Sequence, residues 1–171
     1  MGDGVINHWW VSRPKRKLNS VPEVLAAIVE TTYDQEWYGQ RGTHLTLETA
    51  LEKAGLKREG DRRDQTGGGA RTYRAWISSL GLIFVHEKSK TIKLTLAGEA
   101  LMKGNPPVEI LKNQVLKYQF PSPFSTSRGV NVSLRFRIQP FRFLLKLLMN
   151  DRVGYLTKEE IAKIVIVEAE N

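Results

Sequence analysis

The side chains best suited to chemistry cluster in one stretch. Arg62, Arg63, Asp64 and Gln65 stand together, and Arg71 and Arg74 follow at helical spacing. A guanidinium can make two hydrogen bonds to guanine, a carboxamide two to adenine, and a carboxylate can accept from the amino group of cytosine. The set therefore carries donors and acceptors for several base edges. Two acid-free basic segments flank it at a distance. Arg13, Lys15, Arg16 and Lys17 form one, and Arg128, Arg135, Arg137, Arg142 and Lys146, spread between Tyr118 and Asn150, form the other. The net charge of +8 is thus local, as a surface that follows phosphates requires. Read more plainly, residues 62–65 are a solvated loop and Arg71 and Arg74 the wet face of a helix.

Other chemistries fare worse. There is no Cys, so disulfides, thiolate zinc sites and Cys nucleophiles are excluded, and His8, His44 and His86 are too dispersed for a His-based nuclease. No Asp or Glu is followed at the second position by Lys, the pair that holds and serves Mg²⁺ beside a scissile phosphate. Gly67, Gly68 and Gly69 lack the Lys of a phosphate-cradling loop, and Glu159 and Glu160, adjacent on a helix, point about 100° apart. Neither a catalytic residue nor a metal or cofactor ligand is expected in this chain. A content of 41% hydrophobic and 26% charged residues suits a folded, soluble chain; with no membrane span and no signal pattern, a cytoplasmic location is expected.

The elements that must hold these residues can be read from periodicity. Residues 9–18, WWVSRPKRKL, start apolar and turn basic around Pro14, as an extended arm would. Asn19 and Ser20 offer caps and Pro22 an early helical position for a first helix carrying Val24, Leu25, Ile28 and Val29 up to about Tyr33. Thr46 is placed to cap a second, short helix that Gly55 stops. Residues 57–69 read as an exposed loop, and a third helix is predicted from about Ala70 to Gly81 with Tyr73, Trp76, Ile77 and Leu80 on its apolar face. Residues 82–86 and 91–94 make a hairpin. Three helices followed by a hairpin describe a winged helix, whose third helix enters the major groove, which favours Arg71 and Arg74 as base readers. The four Trp are assigned to the core.

After a short closing helix, Leu96 to Met102, and a break at residues 104–107, further helices are predicted over 108–118, over 140–149 and from Lys158, the last with a capping box on Thr157 and Glu160. Alternation of Val132, Leu134, Phe136 and Ile138 predicts a half-buried strand over 130–138, with Arg135 and Arg137 on its other face. The fold class expected is mainly α with small β-hairpins (α+β). Residues 1–104 would form an arm plus a winged-helix subdomain, and residues 105–171 a connecting helix and the start of a second, incomplete winged-helix-like subdomain, as in a piece of a longer protein.

Four segments carry a family resemblance over nearly the whole chain: WWVSRPKRKL, RRDQTGGGARTYRAWISSLGL (62–82), LTLAGEALMKG (94–104) and NQVLKYQFPSPFS (113–125). Together they resemble the N-terminal DNA-recognition region of AlwI-like type IIS restriction endonucleases. The resemblance implies that winged-helix subdomains bind a short asymmetric double-stranded DNA site, while a separate C-terminal PD-(D/E)xK domain, outside this chain and served by Mg²⁺, cuts nearby in a bacterial cytoplasm. By position, Arg62, Arg63, Asp64, Gln65, Arg71 and Arg74 would read bases. Arg13, Lys15, Arg16 and Lys17 would place the arm, and Lys88, Lys90, Ser125, Arg128, Arg135 and Arg137 would touch phosphates. An asymmetric site suits a monomer. Two other readings stand beside this one: a winged-helix transcription regulator, with a palindromic site, and a protein-interaction module with an acidic partner.

Overall fold

In a computed structural model the chain is described over residues 5–11, 18–58, 65–122 and 131–169. It divides into two compact units, Pro14–Lys112 and, from both ends of the sequence, Met1–Arg13 with Asn113–Asn171. Over the described residues it is mostly helical with a small two-stranded antiparallel sheet, an α+β composition. None of the described helices is long and apolar enough to cross a membrane.

In the Pro14–Lys112 unit, a short 3₁₀ turn (Leu18–Ser20) leads into α1 (Val21–Thr32), with Pro22 in its first turn and Val21, Val24, Leu25 and Ile28 buried. Helix α1 packs on α2 (Arg41–Lys53), α3 (Gly68–Ser79) and α4 (Leu96–Met102). Strands β1 (Ile83–Val85) and β2 (Ile92–Leu94) pair in the register Ile83 to Leu94, Phe84 to Lys93 and Val85 to Ile92. The segment after α1 lies along the free edge of β2. Tyr33 and Glu36 bridge to Ile92 and Thr91, and Asp34 N–H donates to the Ile92 carbonyl over 2.9 Å. That segment is stapled again by an ion pair of 2.6 Å between Asp34 and Lys93. Helix α4 is capped by Thr95, whose hydroxyl accepts from Gly98 N–H, and Gly98 abuts the Leu82 carbonyl, where a Cβ would collide.

Two boundaries differ from those the sequence suggests. Helix α2 starts at Arg41, five residues before the expected cap, so Thr46 lies inside it and its hydroxyl bonds back to the Gly42 carbonyl at 3.1 Å. Gly42, in the first turn of that helix, is exposed, and a Cβ on it would meet nothing within 4 Å. The glycine run is not an exposed loop either. Gly67 is buried in the left-handed region at φ +79°, and Gly68 and Gly69 open α3. A Cβ on Gly67 would strike His44, and one on Gly69 would lie 2.6 Å from Glu48 Oε1. The glycines let α3 start against α2.

The second unit is built on Trp9, Phe120, Phe136, Ile138 and Val165. Trp9 Nε1–H donates to the Val165 carbonyl at 3.2 Å, and Phe120 meets the ring of Phe136 edge-on at 6.0 Å and that of Trp10 at 4.7 Å. Of the four Trp, Trp9, Trp37 and Trp76 are buried and Trp10 half-buried. The strand expected over 130–138 does not form among the described residues. Ile6 bridges Val132, Phe120 bridges Ile138, and between them Phe136 N–H bonds back to the Ser133 carbonyl. That turn leaves Leu134 92% exposed while Phe136 and Ile138 point inward. Helix α5 (Pro107–Lys117) crosses the division between the units. Helix α6 (Pro140–Leu148) opens on a proline. A last helical stretch starts at α7 (Lys158–Glu160) with both halves of the Thr157–Glu160 capping box made. It winds as a π-helix over Ile161–Val165 before ending in α8 (Ile166–Glu168).

Candidate nucleic-acid interface

Three segments of the Pro14–Lys112 unit meet around the start of α3: the loop at Trp37, the first turn of α2, and the turn Gln65–Gly67. The Trp37 loop is fixed from one side by its own N–H, which donates to the Lys90 carbonyl over 3.0 Å and ties it to the hairpin. From the other side His44, on α2, places Nε2 2.8 Å from the Trp37 carbonyl and its ring 4.3 Å from the Trp37 ring. A carbonyl only accepts, so Nε2 carries the proton.

Around this buried pair stand the polar side chains. Arg74, half-buried on α3, holds its guanidinium carbon 5.5 Å from the Trp37 ring centroid, within cation–π range. Arg71, one turn earlier, donates to the Thr66 carbonyl at 2.6 Å and to the Thr66 hydroxyl at 3.0 Å. Arg41 donates from Nε to the Gln65 carbonyl at 3.0 Å, which leaves the Gln65 side chain outside that bond and the residue exposed. Gln65, Arg71 and Arg74 are therefore brought together, and Arg41 joins them. Sequence reasoning missed Arg41 because it started α2 too late; with the helix begun at Arg41, the residue stands in its first turn beside the glycine turn.

The other residues singled out from sequence fall elsewhere. Lys88 and Lys90 are exposed at the hairpin tip, where Lys90 adopts φ +56°. In the other unit Arg137 is exposed, whereas Arg135 turns inward: it donates to the carbonyls of Asn7 and Val167 at 3.1 and 2.9 Å and lies 4.7 Å from the Phe136 ring centroid. Arg13, Lys15, Arg16, Lys17, Arg62, Arg63, Asp64, Ser125 and Arg128 lie outside the described residues. Among the described residues no three His, Asp or Glu side chains gather as a metal site would need.

Burial holds the His44 imidazole below its ordinary pKa of 6.5. The charges of Arg71 and Arg74 push the same way, and backbone hydrogen bonding to Trp37 and Thr66 opposes them. A base with a depressed folded-state pKa contributes stability above its unfolded pKa and loses it as the pH falls. The stability of this chain is accordingly expected to decline as the pH falls below 6.5, above the range in which Asp34 and Glu160, held low by Lys93 and by Thr157, give way. Thermal unfolding of the wild type and of His44→Gln between pH 7 and 5 checks this; parallel curves would remove His44 as the cause.

A family model described as AlwI restriction endonuclease matches residues 78–171. The chain belongs to the AlwI restriction endonuclease family. Membership implies a restriction enzyme, and so DNA as the partner. The matched span begins near the end of α3 and takes in the hairpin, Lys88, Lys90, Arg135 and Arg137, while Gln65, Arg71 and Arg74 precede it. No curated protein matches this AlwI-family chain.

Proposed function

We propose that this chain selects the DNA site for an AlwI-family type IIS endonuclease, forming its N-terminal recognition region, while a PD-(D/E)xK domain elsewhere in the protein cuts. The observation that carries the reading is the convergence of Arg41, Gln65, Arg71 and Arg74 at the first turn of α3, beside a basic hairpin. Supporting it, the order of α1 to α3 and the hairpin, with the Tyr33–Glu36 segment as a third edge on β2, follows a winged helix, in which the third helix faces the major groove. The acid-x-Lys pair required of the cutting domain is lacking in all 171 residues.

On this reading Gln65, Arg71 and Arg74, with Arg62, Arg63 and Asp64, read base edges of a short asymmetric duplex site bound by one copy of the chain. Lys88, Lys90, Arg137 and the arm lysines and arginines meet phosphates, and phosphate contacts set register without sequence information. Arg135, with two backbone carbonyls and a ring as partners, is the weakest of that group.

Selection of bound duplexes from a random pool, followed by titration against salt, tests the proposal. The expected result is one enriched asymmetric sequence whose affinity falls steeply with salt. No duplex binding at about 50 mM salt, where even non-specific association is strong, would overturn DNA recognition. Cleavage by the purified chain with Mg²⁺ would overturn the division of labour.

A further inference from the structure

His44 is a buried side chain that the reading above leaves without a role. It is 5% exposed, inside α2, and reaches both neighbours of the candidate interface at once. Its Nε2–H satisfies the Trp37 carbonyl at 2.8 Å, for which the other contact, from Gln40 N–H, is a long 3.5 Å. Its Cβ fills the place that a side chain at position 67 would need, so the turn carrying Gln65 and Thr66 closes directly on it. Through Trp37, the same imidazole is one residue removed from the Lys90 carbonyl of the hairpin and from the ring on which Arg74 rests.

We propose that His44 is a positioning residue for base reading: it fixes the Trp37 loop against the Gly67 turn, so that Gln65, Arg71 and Arg74 are presented to one duplex in a single arrangement. The proposal rests on the recognition role argued above. An apolar residue could fill the volume but would leave the Trp37 carbonyl without its short donor, and the loop would relax. Specificity depends on that arrangement more than affinity does, because phosphate attraction tolerates small displacements and paired hydrogen bonds to base edges do not.

The test uses the whole 171-residue chain with His44→Leu, His44→Gln and His44→Asn, each bound to the duplex selected from the random pool and to a scrambled duplex of the same length. For His44→Leu the ratio of selected to scrambled affinity is expected to fall about tenfold, with scrambled affinity unchanged. His44→Gln, whose amide reaches the place of Nε2, is expected to restore most of the ratio. An unchanged ratio in the folded Leu variant overturns the proposal. Should that variant fail to fold by circular dichroism, the Gln and Asn variants decide, since the shorter Asn amide misses the Nε2 position: equal ratios overturn the proposal, and a ratio kept by Gln but lost by Asn supports it. A wild-type chain without any preferred duplex overturns the recognition role itself, and this inference with it.

Discussion

Replacing Lys57 by methionine is expected to lower the unfolding free energy by about 3–5 kcal/mol, the usual result of removing one partner from a buried ion pair. Glu48 is 3% exposed in the middle of α2, and the Lys57 ammonium lies 2.5 Å from its Oε1 and 2.6 Å from Glu52 Oε1. Burial alone would lower the pKa of Lys57, but the two carboxylates outweigh it and hold the ammonium above its ordinary value. With the ammonium gone, Glu48 keeps a buried charge, and its Oε2 already has no hydrogen-bond partner among the described residues. A buried carboxylate without its cation is carried at the expense of the folded state. Urea unfolding measures the effect. The double variant Lys57→Met with Glu48→Leu is expected to recover much of the loss, because the more deeply buried charge of Glu48 goes with its partner and only Glu52, whose side chain is 12% exposed, is left without the ammonium. A single-variant loss below about 1 kcal/mol would place the pair with ordinary surface ion pairs and sink the argument.

The pair also bears on the candidate interface. Gly69 sits directly over Glu48 Oε1 and near the Lys57 side chain, so the ion pair lies under the first turn of α3. A loosened pair would loosen the turn from which Gln65 and Arg71 project.

Neither Glu48 nor His44 stood out in the sequence, and the reason is physical. Both occupy α2 positions whose burial depends on where the helix begins. With Thr46 as the cap, His44 falls outside the helix and Glu48 in a first turn, where acids are commonly exposed. The true start at Arg41 has no side-chain cap to announce it, so local signals favoured the wrong residue. Helix α1, the apolar face of α3 and the hairpin were legible, because their periods of 3.6 and 2 are local and uninterrupted. The glycine run misled for the opposite reason: a local preference for turns was overridden by the close approach of α2, which leaves no trace in neighbouring residues.

The failed strand shows the same limit from another side. Val132, Leu134, Phe136 and Ile138 alternate as a strand should, yet pairing needs partners, and the two ends find different ones in Ile6 and Phe120. Arg135 could not be assigned to either face by alternation once the turn at Ser133–Phe136 forms; it becomes a clamp between residues 7 and 167. Arg74, by contrast, was correctly placed on α3, but its stacking on Trp37 comes from a residue 37 positions earlier in the chain and was invisible to local patterns.

Arg71→Ala is expected to cost about 1–3 kcal/mol in binding the selected duplex and to relax preference at one base position, while affinity for scrambled DNA changes little. Lys15→Ala, in the basic arm, should instead weaken both duplexes alike and reduce the salt slope by about one. The structure gives Arg71 a second task, however, since its two hydrogen bonds to Thr66 hold the turn before α3. Loss of specificity in the alanine variant alone would not separate reading from holding. Arg71→Lys separates them. A lysine keeps the charge and can still donate to the Thr66 carbonyl, but it cannot offer the planar fork that matches two acceptors of one guanine. If Arg71 reads a base, the lysine variant loses preference at the same position as the alanine variant, with its unfolding free energy near that of wild type. If Arg71 only holds the turn, lysine restores specificity. Competition binding against a panel of single-base substitutions in the selected duplex distinguishes these outcomes, and the base whose preference is lost is the one that faces the first turn of α3.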